Sequence, residues 1–278
     1  NLVKKISELY PTSEIHVLDN YFTGCAGNHH YGSNITYHNE STWNIEKYFK
    51  EYGSFDVVFH FGEYSRIVKS FDDSDYVMKS NLYGTTKVLE YCKNNNSKLI
   101  YSASSSKFGN NGKDENLSPY SWVKSKIVEL IKNYHKWYGL QYEICYFFNV
   151  YGPNQISEGD YATVVGIFEK QYKDKSPLSV VKPGTQSRDF THVYDVIDGV
   201  IKTTDMNLNR EWMLRSGVNH KIINVAKMFT DDIVMIPKRK GERSTSEEFY
   251  SDTNKVLGWE PKFKLENYIQ NHLKNKKL

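Results

Sequence analysis

The sequence predicts an α/β protein in which a doubly wound parallel sheet is followed by a smaller mixed α/β region. Apolar runs such as FDVVFHF and LQYEICYFF are nearly continuous, as expected of strands buried on both faces of a sheet. Longer stretches of helical periodicity separate these runs, which is typical of right-handed β–α–β crossovers. After Asn149 the elements become shorter. We therefore expect a first domain at residues 1–148, to which about 189–212 return, and a second domain formed mainly by 149–278.

The individual elements follow from apolar spacing and from helix-capping residues. Leu2, Ile6 and Leu9 recur at helical spacing, so a helix opens the chain, and a short apolar strand then ends at Asp19. Ser118 before a proline is a helix N-cap signal. The other expected elements are strands at 35–37, 55–61, 98–104 and 140–148, and helices at 42–52, 70–93, 119–137, near 162–172, in THVYDVIDGVIKT and from about 265.

Composition excludes several classes of protein. The 278 residues carry a net charge of only +3, which gives no reason to expect a nucleic-acid partner. No apolar run approaches the roughly 18 residues of a membrane span, so no membrane partner is expected. Cys25, Cys92 and Cys145 are odd in number and far apart. This favours free thiols in a cytoplasmic protein, with no disulfide frame and no metal site.

A tyrosine and a lysine in SPYSWVKSK have the spacing of a catalytic pair. Tyr120 and Lys124 lie four residues apart on a predicted helix, so their side chains share a face. A free tyrosine has a pKa of about 10, and an ammonium one turn away favours the phenolate, which is the better base. Such pairs also occur on solvated helix faces. Ser104 ends an apolar strand, where sites of this fold assemble, although serines there also bond locally to the main chain.

Seven motifs in the same order make the chain resemble the extended short-chain dehydrogenase/reductase superfamily. Within it, the resemblance is to the NAD-dependent nucleotide-sugar epimerase/dehydratase family typified by UDP-galactose 4-epimerase. HVLDN resembles the second strand with its ribose-binding acid, and VVFHFGE resembles the H-x-A-A segment, with Gly62 and Glu63 replacing the usual small pair. The other motifs are SNLYGTTKVLE, YSASSSKFG, FFNVYGPNQ, SRDFTHVYDV and YSDTNKVLGWEP. The resemblance covers essentially the whole chain.

The resemblance implies NAD as the cofactor, with an NAD-binding domain at residues 1–148 and a mainly substrate-binding domain at 149–278. The charge of Asp19 would favour NAD over NADP. In dinucleotide-binding units this acid follows a glycine-rich loop by about 20 residues. Only 18 residues precede Asp19, so we expect the first strand and that loop to end just before Asn1. Cofactor contacts are implied for Asp19, Asn20, Phe61, Gly62, Asn81, Tyr120 and Lys124.

The implied reaction is inversion of C4 of a UDP-hexose through a 4-keto intermediate. Tyr120 would take the proton of the 4-hydroxyl, Lys124 would lower the tyrosine pKa and hold the nicotinamide ribose, and Ser104 would hydrogen-bond the 4-oxygen. Contacts with the UDP-sugar are implied for Asn149, Arg188, Arg239, Glu242 and Ser246.

The substrate residues also suggest which sugars fit. The resemblance places Arg188 and Arg239 on phosphate and Glu242 on the ribose hydroxyls. Ser246 is small, so the pocket should admit UDP-N-acetylglucosamine as well as UDP-glucose, and a glucuronate-type sugar is also compatible. Asn154 stands where the family has an arginine, which weakens any role carried over to it.

Two other functions stay open. The first is a lyase of the same fold: dehydratases carry Asp and Glu directly after the catalytic Thr, and decarboxylases carry a Glu two residues after it. This chain has Ser105 and Ser106 at those positions, so lyase chemistry is disfavoured. A truncated, non-catalytic NAD-binding protein is the second, and the intact Ser–Tyr–Lys set argues against it. The helices beginning near Ser70 and Pro119 correspond to the family's dimer interface, so a homodimer is expected.

Overall fold

The computed structural model describes residues 1–50, 52–108, 113–241 and 251–274. Its strands are β1 (Ile15–Asp19), β2 (Ile35–Asn39), β3 (Val57–His60), β4 (Lys98–Ser104), β5 (Tyr142–Phe147), β6 (Asn149–Tyr151), β7 (Leu178–Val181), β8 (Ser187–His192), β9 (Glu211–Leu214), β10 (Asn219–Lys221) and β11 (Ile233–Ile236). Its helices are α1 (Leu2–Leu9), α2 (Ile45–Phe49), α3 (Ser74–Val77), α4 (Gly84–Asn95), α5 (Pro119–Tyr138), α6 (Val164–Lys173), α7 (Val193–Thr204), α8 (Ile222–Lys227), α9 (Thr253–Leu257) and α10 (Leu265–Lys274).

Parallel strands form the centre of the molecule. The main sheet has the order β3–β4–β5–β9, and β1 pairs with β2 in a separate two-stranded parallel sheet. Within the described ranges no strand pairing joins these two sheets. Three further strands, β10, β8 and β6, form a mixed sheet, and β11 pairs with β7. The predicted α/β fold with parallel strands is confirmed.

Alternating side chains of β4 fill two separate cores, because successive residues of a strand point to opposite faces. Leu99 and Tyr101 pack with Ile127 of α5 on one face. Ile100 packs on the other face with Val200 of α7 and Trp212 of β9. The chain therefore returns to the main sheet at strand β9. The sequence predicted that about 189–212 return to the first domain. The domain boundaries themselves stay a prediction.

A third core belongs to the second half of the chain. Phe168 of α6, Val180 of β7, Phe190 of β8 and Ile269 of α10 are among its buried members. This core fixes β6 and β8 beside the main sheet. The two regions thus meet at the carboxyl ends of β4 and β5.

Helix α5 begins and ends at residues with clear capping chemistry. The Ser118 hydroxyl oxygen accepts a hydrogen bond from the Ser121 main-chain N–H at 3.1 Å, and a proline occupies the first turn. Gly139 ends the helix with φ of 74°, a left-handed conformation that favours glycine. The predicted N-cap is confirmed.

The helical stretch expected at 70–93 is not one regular helix. A π-helical segment, Met78–Tyr83, separates α3 from α4. Inside this segment Asn81 is fully buried, and its amide accepts from the Tyr64 main-chain N–H at 2.8 Å and donates to the Tyr64 carbonyl at 2.9 Å. Widened turns of this kind often lie at functional sites, because they redirect a side chain. Periodicity alone could not show this irregularity.

Candidate active site

A cleft of about 510 Å³ opens at the carboxyl ends of the main-sheet strands. Residues at the ends of β3, β4 and β5 form one wall, and residues of β6 and β8 form another. Open α/β sheets bind their ligands at this edge. The cleft is therefore the candidate active site.

The three predicted catalytic residues line this cleft together. Ser104 is the last residue of β4, and Tyr120 and Lys124 lie in the first half of α5. The Ser104 hydroxyl oxygen accepts from the Ser106 main-chain N–H at 3.2 Å, and that contact leaves the hydroxyl proton of Ser104 available for a substrate oxygen. Their catalytic roles stay predictions.

The ammonium of Lys124 is held by three oxygen groups. It donates to the carboxylate of Glu63, to the carbonyl of Ser102 and, at 2.7 Å, to the hydroxyl of Tyr101. The side chains of Lys124 and Glu63 are only 6% and 3% exposed. Burial lowers the pKa of Lys124, and the Glu63 carboxylate opposes that shift. The Glu63 carboxylate therefore offsets the ammonium charge of Lys124.

Glu63 is the centre of a buried chain of hydrogen bonds. One carboxylate oxygen accepts from the hydroxyls of Thr85 at 2.9 Å and Tyr101 at 3.2 Å. Thr85 donates its only hydroxyl proton to Glu63, so in its 2.8 Å contact with His60 Nε2 the Thr85 oxygen must be the acceptor. The ring proton of His60 is therefore assigned to Nε2. Burial lowers the pKa of His60 to about 4, so its ring is neutral at neutral pH. Sequence reasoning noted Glu63 only as a departure from the H-x-A-A segment and missed this role.

Four residues predicted to contact the cofactor line a smaller pocket of about 130 Å³: Asp19, predicted to bind the adenosine ribose, and Asn20, Phe61 and Gly62. One oxygen of the Asp19 carboxylate accepts from the Tyr21 main-chain N–H at 2.8 Å. The other oxygen would lie 3.2 Å from a Cβ placed on Gly24. Glycine therefore leaves the approach to this carboxylate open, and the residues present fit a ribose that donates its hydroxyl protons.

Two predicted cofactor residues have side chains already engaged within the protein. The amide of Asn20 donates to Ser41 and to Tyr76, both at 3.1 Å, and that of Asn81 holds the main chain of Tyr64. The contacts of Asn81 position the loop after β3, and those of Asn20 join the end of β1 to Ser41, after β2, and to Tyr76 of α3. Whether Asn20 and Asn81 also contact NAD stays a prediction.

The glycine of the N-x-x-G-T motif has a packing reason. A Cβ placed on Gly84 would lie 2.5 Å from the hydroxyl oxygen of Thr42. Any larger side chain would push α4 away from the turn at residues 42–44. The threonine of the same motif, Thr85, carries the hydrogen bond to Glu63 described above. The motif thus packs α4 against residues 42–44 and holds Glu63 in the candidate active site.

The predicted substrate residues lie on the opposite wall, as far as the structure describes them. Asn149 of β6, Arg188 of β8 and Arg239 all line the cleft. Arg188 is 8% exposed and donates to the Ser187 carbonyl at 2.8 Å, whereas Arg239 is exposed. Glu242 and Ser246 lie outside the described residues, so their predicted roles stay untested.

Arg66 also lines the cleft, and sequence reasoning did not single it out. It follows β3 by six residues and belongs to no motif that the resemblance identified. Its guanidinium interacts electrostatically with Tyr120, Tyr161 and Tyr64, and burial lowers its pKa. Lys69, which the sequence did not single out either, lines the same cleft, so the cleft contains two more cations than the sequence indicated.

The described residues contain neither a metal-binding cluster nor a membrane-spanning helix. In the described ranges, no three or more His, Cys, Asp or Glu side chains are grouped so that they could hold a metal ion. Among the helices that the structure describes, none has both the length and the apolar character needed to cross a membrane.

The parallel α/β sheet and the serine, tyrosine and lysine at its carboxyl edge define a Rossmann-like protein of the extended short-chain dehydrogenase/reductase type. The family model for the NAD dependent epimerase/dehydratase family matches residues 1–214. The chain belongs to that family. Membership assigns NAD as the cofactor.

Similar proteins include more than one type of enzyme. UDP-glucuronic acid decarboxylase 3 of Arabidopsis thaliana is 27% identical over 208 residues, which are 68% of this chain and 60% of that protein. A putative UDP-glucose 4-epimerase of Methanocaldococcus jannaschii is 30% identical over 245 residues, 79% of this chain and 77% of that protein. The structure of UDP-N-acetylglucosamine 4-epimerase from Methanobrevibacter ruminantium M1, in complex with UDP-N-acetylmuramic acid, has a TM-score of 0.86 at 25% identity and covers 97% of this chain and 92% of its own. This chain thus spans only 60% of the length of the decarboxylase.

Proposed function

We propose that this chain contains the NAD-binding and catalytic part of a 4-epimerase that acts on a UDP-sugar. The observation that supports this best is the single cleft lined by Ser104, Tyr120 and Lys124 on one wall and by Arg188 and Arg239 on the other. The arginines suit a diphosphate, because guanidinium groups bind phosphate oxygens through paired hydrogen bonds. The first wall suits proton transfer at a sugar hydroxyl.

The chain's own residues would divide the work at C4 of the sugar. When bound, NAD supplies a reversible acceptor for the hydride of C4. Tyr120 would remove the proton of the 4-hydroxyl, and the Ser104 hydroxyl would donate a hydrogen bond to the 4-oxygen. Lys124, fixed by Glu63, would lie against the nicotinamide ribose. Rotation of the keto sugar within the cleft would then expose its opposite face.

The arrangement of acids in the cleft favours an epimerase over a lyase. Ser105 and Ser106 line the cleft where lyases of this fold carry acids, and a hydroxyl is a poor proton donor or acceptor at neutral pH. Two acids line the cleft among the described residues. Glu63 is held by hydrogen bonds, and Asp160 pairs with Lys69 at 3.4 Å. Both acids are thus engaged within the protein, which supports the epimerase over the lyase.

A product analysis by proton NMR tests the proposal. The protein is incubated with NAD and, separately, with UDP-glucose, UDP-N-acetylglucosamine and UDP-glucuronate. We expect the 4-epimer of at least one of these sugars, with no net change in NADH. A 4-keto-6-deoxy sugar or a pentose product would instead assign a lyase, and the absence of any product would favour a non-catalytic NAD-binding protein.

Three further expectations accompany this proposal. Asp19 would favour NAD over NADP, because its charge repels a 2′-phosphate. The free cysteines, of which Cys92 and Cys145 are buried, suit a cytoplasmic protein. A homodimer would use the exposed faces of α5 and of the helical stretch that begins near Ser70.

A further inference from the structure

Arg66 differs from the two lysines of the cleft, Lys69 and Lys124, because no carboxylate among the described residues pairs with it. In the part of the chain that the structure describes, its guanidinium makes no ion pair, and its Nε is shielded from solvent without a hydrogen-bond partner. A shielded polar group without a partner is costly, and native proteins contain few of them. Such a group calls for an explanation in terms of a ligand.

The neighbours of Arg66 do not offset its charge. Its guanidinium interacts electrostatically with the hydroxyl-bearing side chains of Tyr120, Tyr161 and Tyr64, and also with Arg239, which carries a charge of the same sign. Burial lowers the pKa of Arg66, but an arginine in a protein remains protonated at neutral pH. The charge is therefore permanent, and the described residues provide no carboxylate that pairs with it.

Two lysines of the same cleft have carboxylate partners. Lys124 pairs with Glu63, and Lys69 lies 3.4 Å from the Asp160 carboxylate and 3.8 Å from that of Asp72. The chain thus supplies carboxylates for these lysines. No carboxylate of the described ranges pairs with Arg66, which interacts with Tyr120, the residue that the proposed function places at the reacting carbon.

We infer that Arg66 binds an anionic substituent on C6 of the sugar, so that the preferred substrate is a UDP-hexuronate. The inference rests on the proposed function, which places C4 of the sugar at Tyr120. C6 is joined to C5, the neighbour of C4, so a carboxylate there lies beside the same tyrosine. Its two oxygens match the planar donor fork of a guanidinium. A neutral hexose would leave Arg66 shielded and unpaired.

Equilibrium binding of UDP, UDP-glucose and UDP-glucuronate, measured by calorimetry in the presence of NAD, tests this without turnover. We expect the wild-type protein to bind UDP-glucuronate roughly ten-fold or more tightly than UDP-glucose, the range of a charge-assisted hydrogen bond. Arg66→Gln should remove that preference and leave UDP binding within about three-fold. Arg66→Lys should keep part of it, because the charge remains but the fork is lost.

A matched control variant and three contrary outcomes complete the experiment. Lys69→Gln removes a cation that already has carboxylate partners, so it should leave the preference unchanged. Equal affinity of the wild type for both sugars would overturn the inference and leave the proposed function standing. Equal weakening of all three ligands in Arg66→Gln would place Arg66 at the diphosphate and would also overturn it. Absence of UDP binding would overturn the proposed function and, with it, the inference.

Discussion

At the scale of single residues, the phenolic oxygen of Tyr120 is the atom on which the proposed chemistry depends. Tyr120→Phe keeps the ring and its packing but removes the base, so we expect epimerisation to fall by at least about 100-fold. The thermal unfolding midpoint and the binding of UDP should stay close to wild type. Tyr138→Phe on the same helix is the control, since Tyr138 is 55% exposed and should leave the rate unchanged. A variant Tyr120→Phe with near-normal turnover would move the base to another residue.

The buried His60 makes stability depend on pH. Burial lowers its pKa to about 4, below the ordinary value of 6.5, so between these values the unfolded chain binds a proton that the folded chain does not. The free energy of unfolding should therefore be fully retained above about pH 6.5 and should decrease towards pH 4, by up to about 3 kcal/mol from this residue. Urea unfolding at several pH values measures the slope. His60→Gln should flatten it, and parallel curves for variant and wild type would contradict this account.

At the scale of elements, the N-cap of α5 positions the helix that carries Tyr120 and Lys124. Ser118→Ala removes the acceptor for the Ser121 N–H, so we expect a loss of about 1 kcal/mol in the free energy of unfolding. Ser118→Asp should restore most of it, because aspartate is also a good N-cap. Denaturant unfolding measures both. An equal decrease in the free energy of unfolding for Ser118→Ala and Ser118→Asp would show that the N-cap does not contribute to stability.

The elements also show how far the sequence could be interpreted. Strands β1 and β4 and helix α5 were predicted almost to the residue, because their apolar runs and caps are local signals. The segment 42–52 contains only a 3₁₀ turn and the short α2 among its described residues, and 70–93 is interrupted. The interruption depends on Asn81 bonding to a loop 17 residues earlier, which periodicity does not encode.

The same distinction holds within the site. The Ser–Tyr–Lys set could be found because spacing on one helix and the end of one strand are visible in the sequence. Glu63 and Arg66 could not be assigned roles, because their environments are built from several elements. Glu63 acquires its role from side chains on β3, β4, α4 and α5. Such residues become interpretable only once the elements are packed.

At the scale of the whole molecule, exposed aromatic residues support the proposed dimer. Tyr83 is 50% exposed at the end of the π-helical segment, and Trp122 is 38% exposed on α5, which packs against that segment. We expect sedimentation to show a dimer at micromolar concentration, because burying such rings is favourable. Trp122→Glu should shift the protein to the monomer. Val218→Glu is the control, because Val218 is 54% exposed in the second region, and this variant should remain a dimer. A wild-type monomer would remove the proposal.

Hydrogen bonds to Asp195 of α7 hold the segment that precedes α10. The Asp195 carboxylate accepts from the main-chain N–H groups of Lys262 at 2.9 Å and Phe263 at 3.0 Å, and its own carbonyl accepts from the indole of Trp259. These partners are 64 to 68 residues apart in the chain. Closing so long a loop costs chain entropy before any contact forms. We therefore expect α7 to reach its final packing late in refolding, after the C-terminal segment has docked, so the last residues of the fold control when the first sheet becomes fully covered.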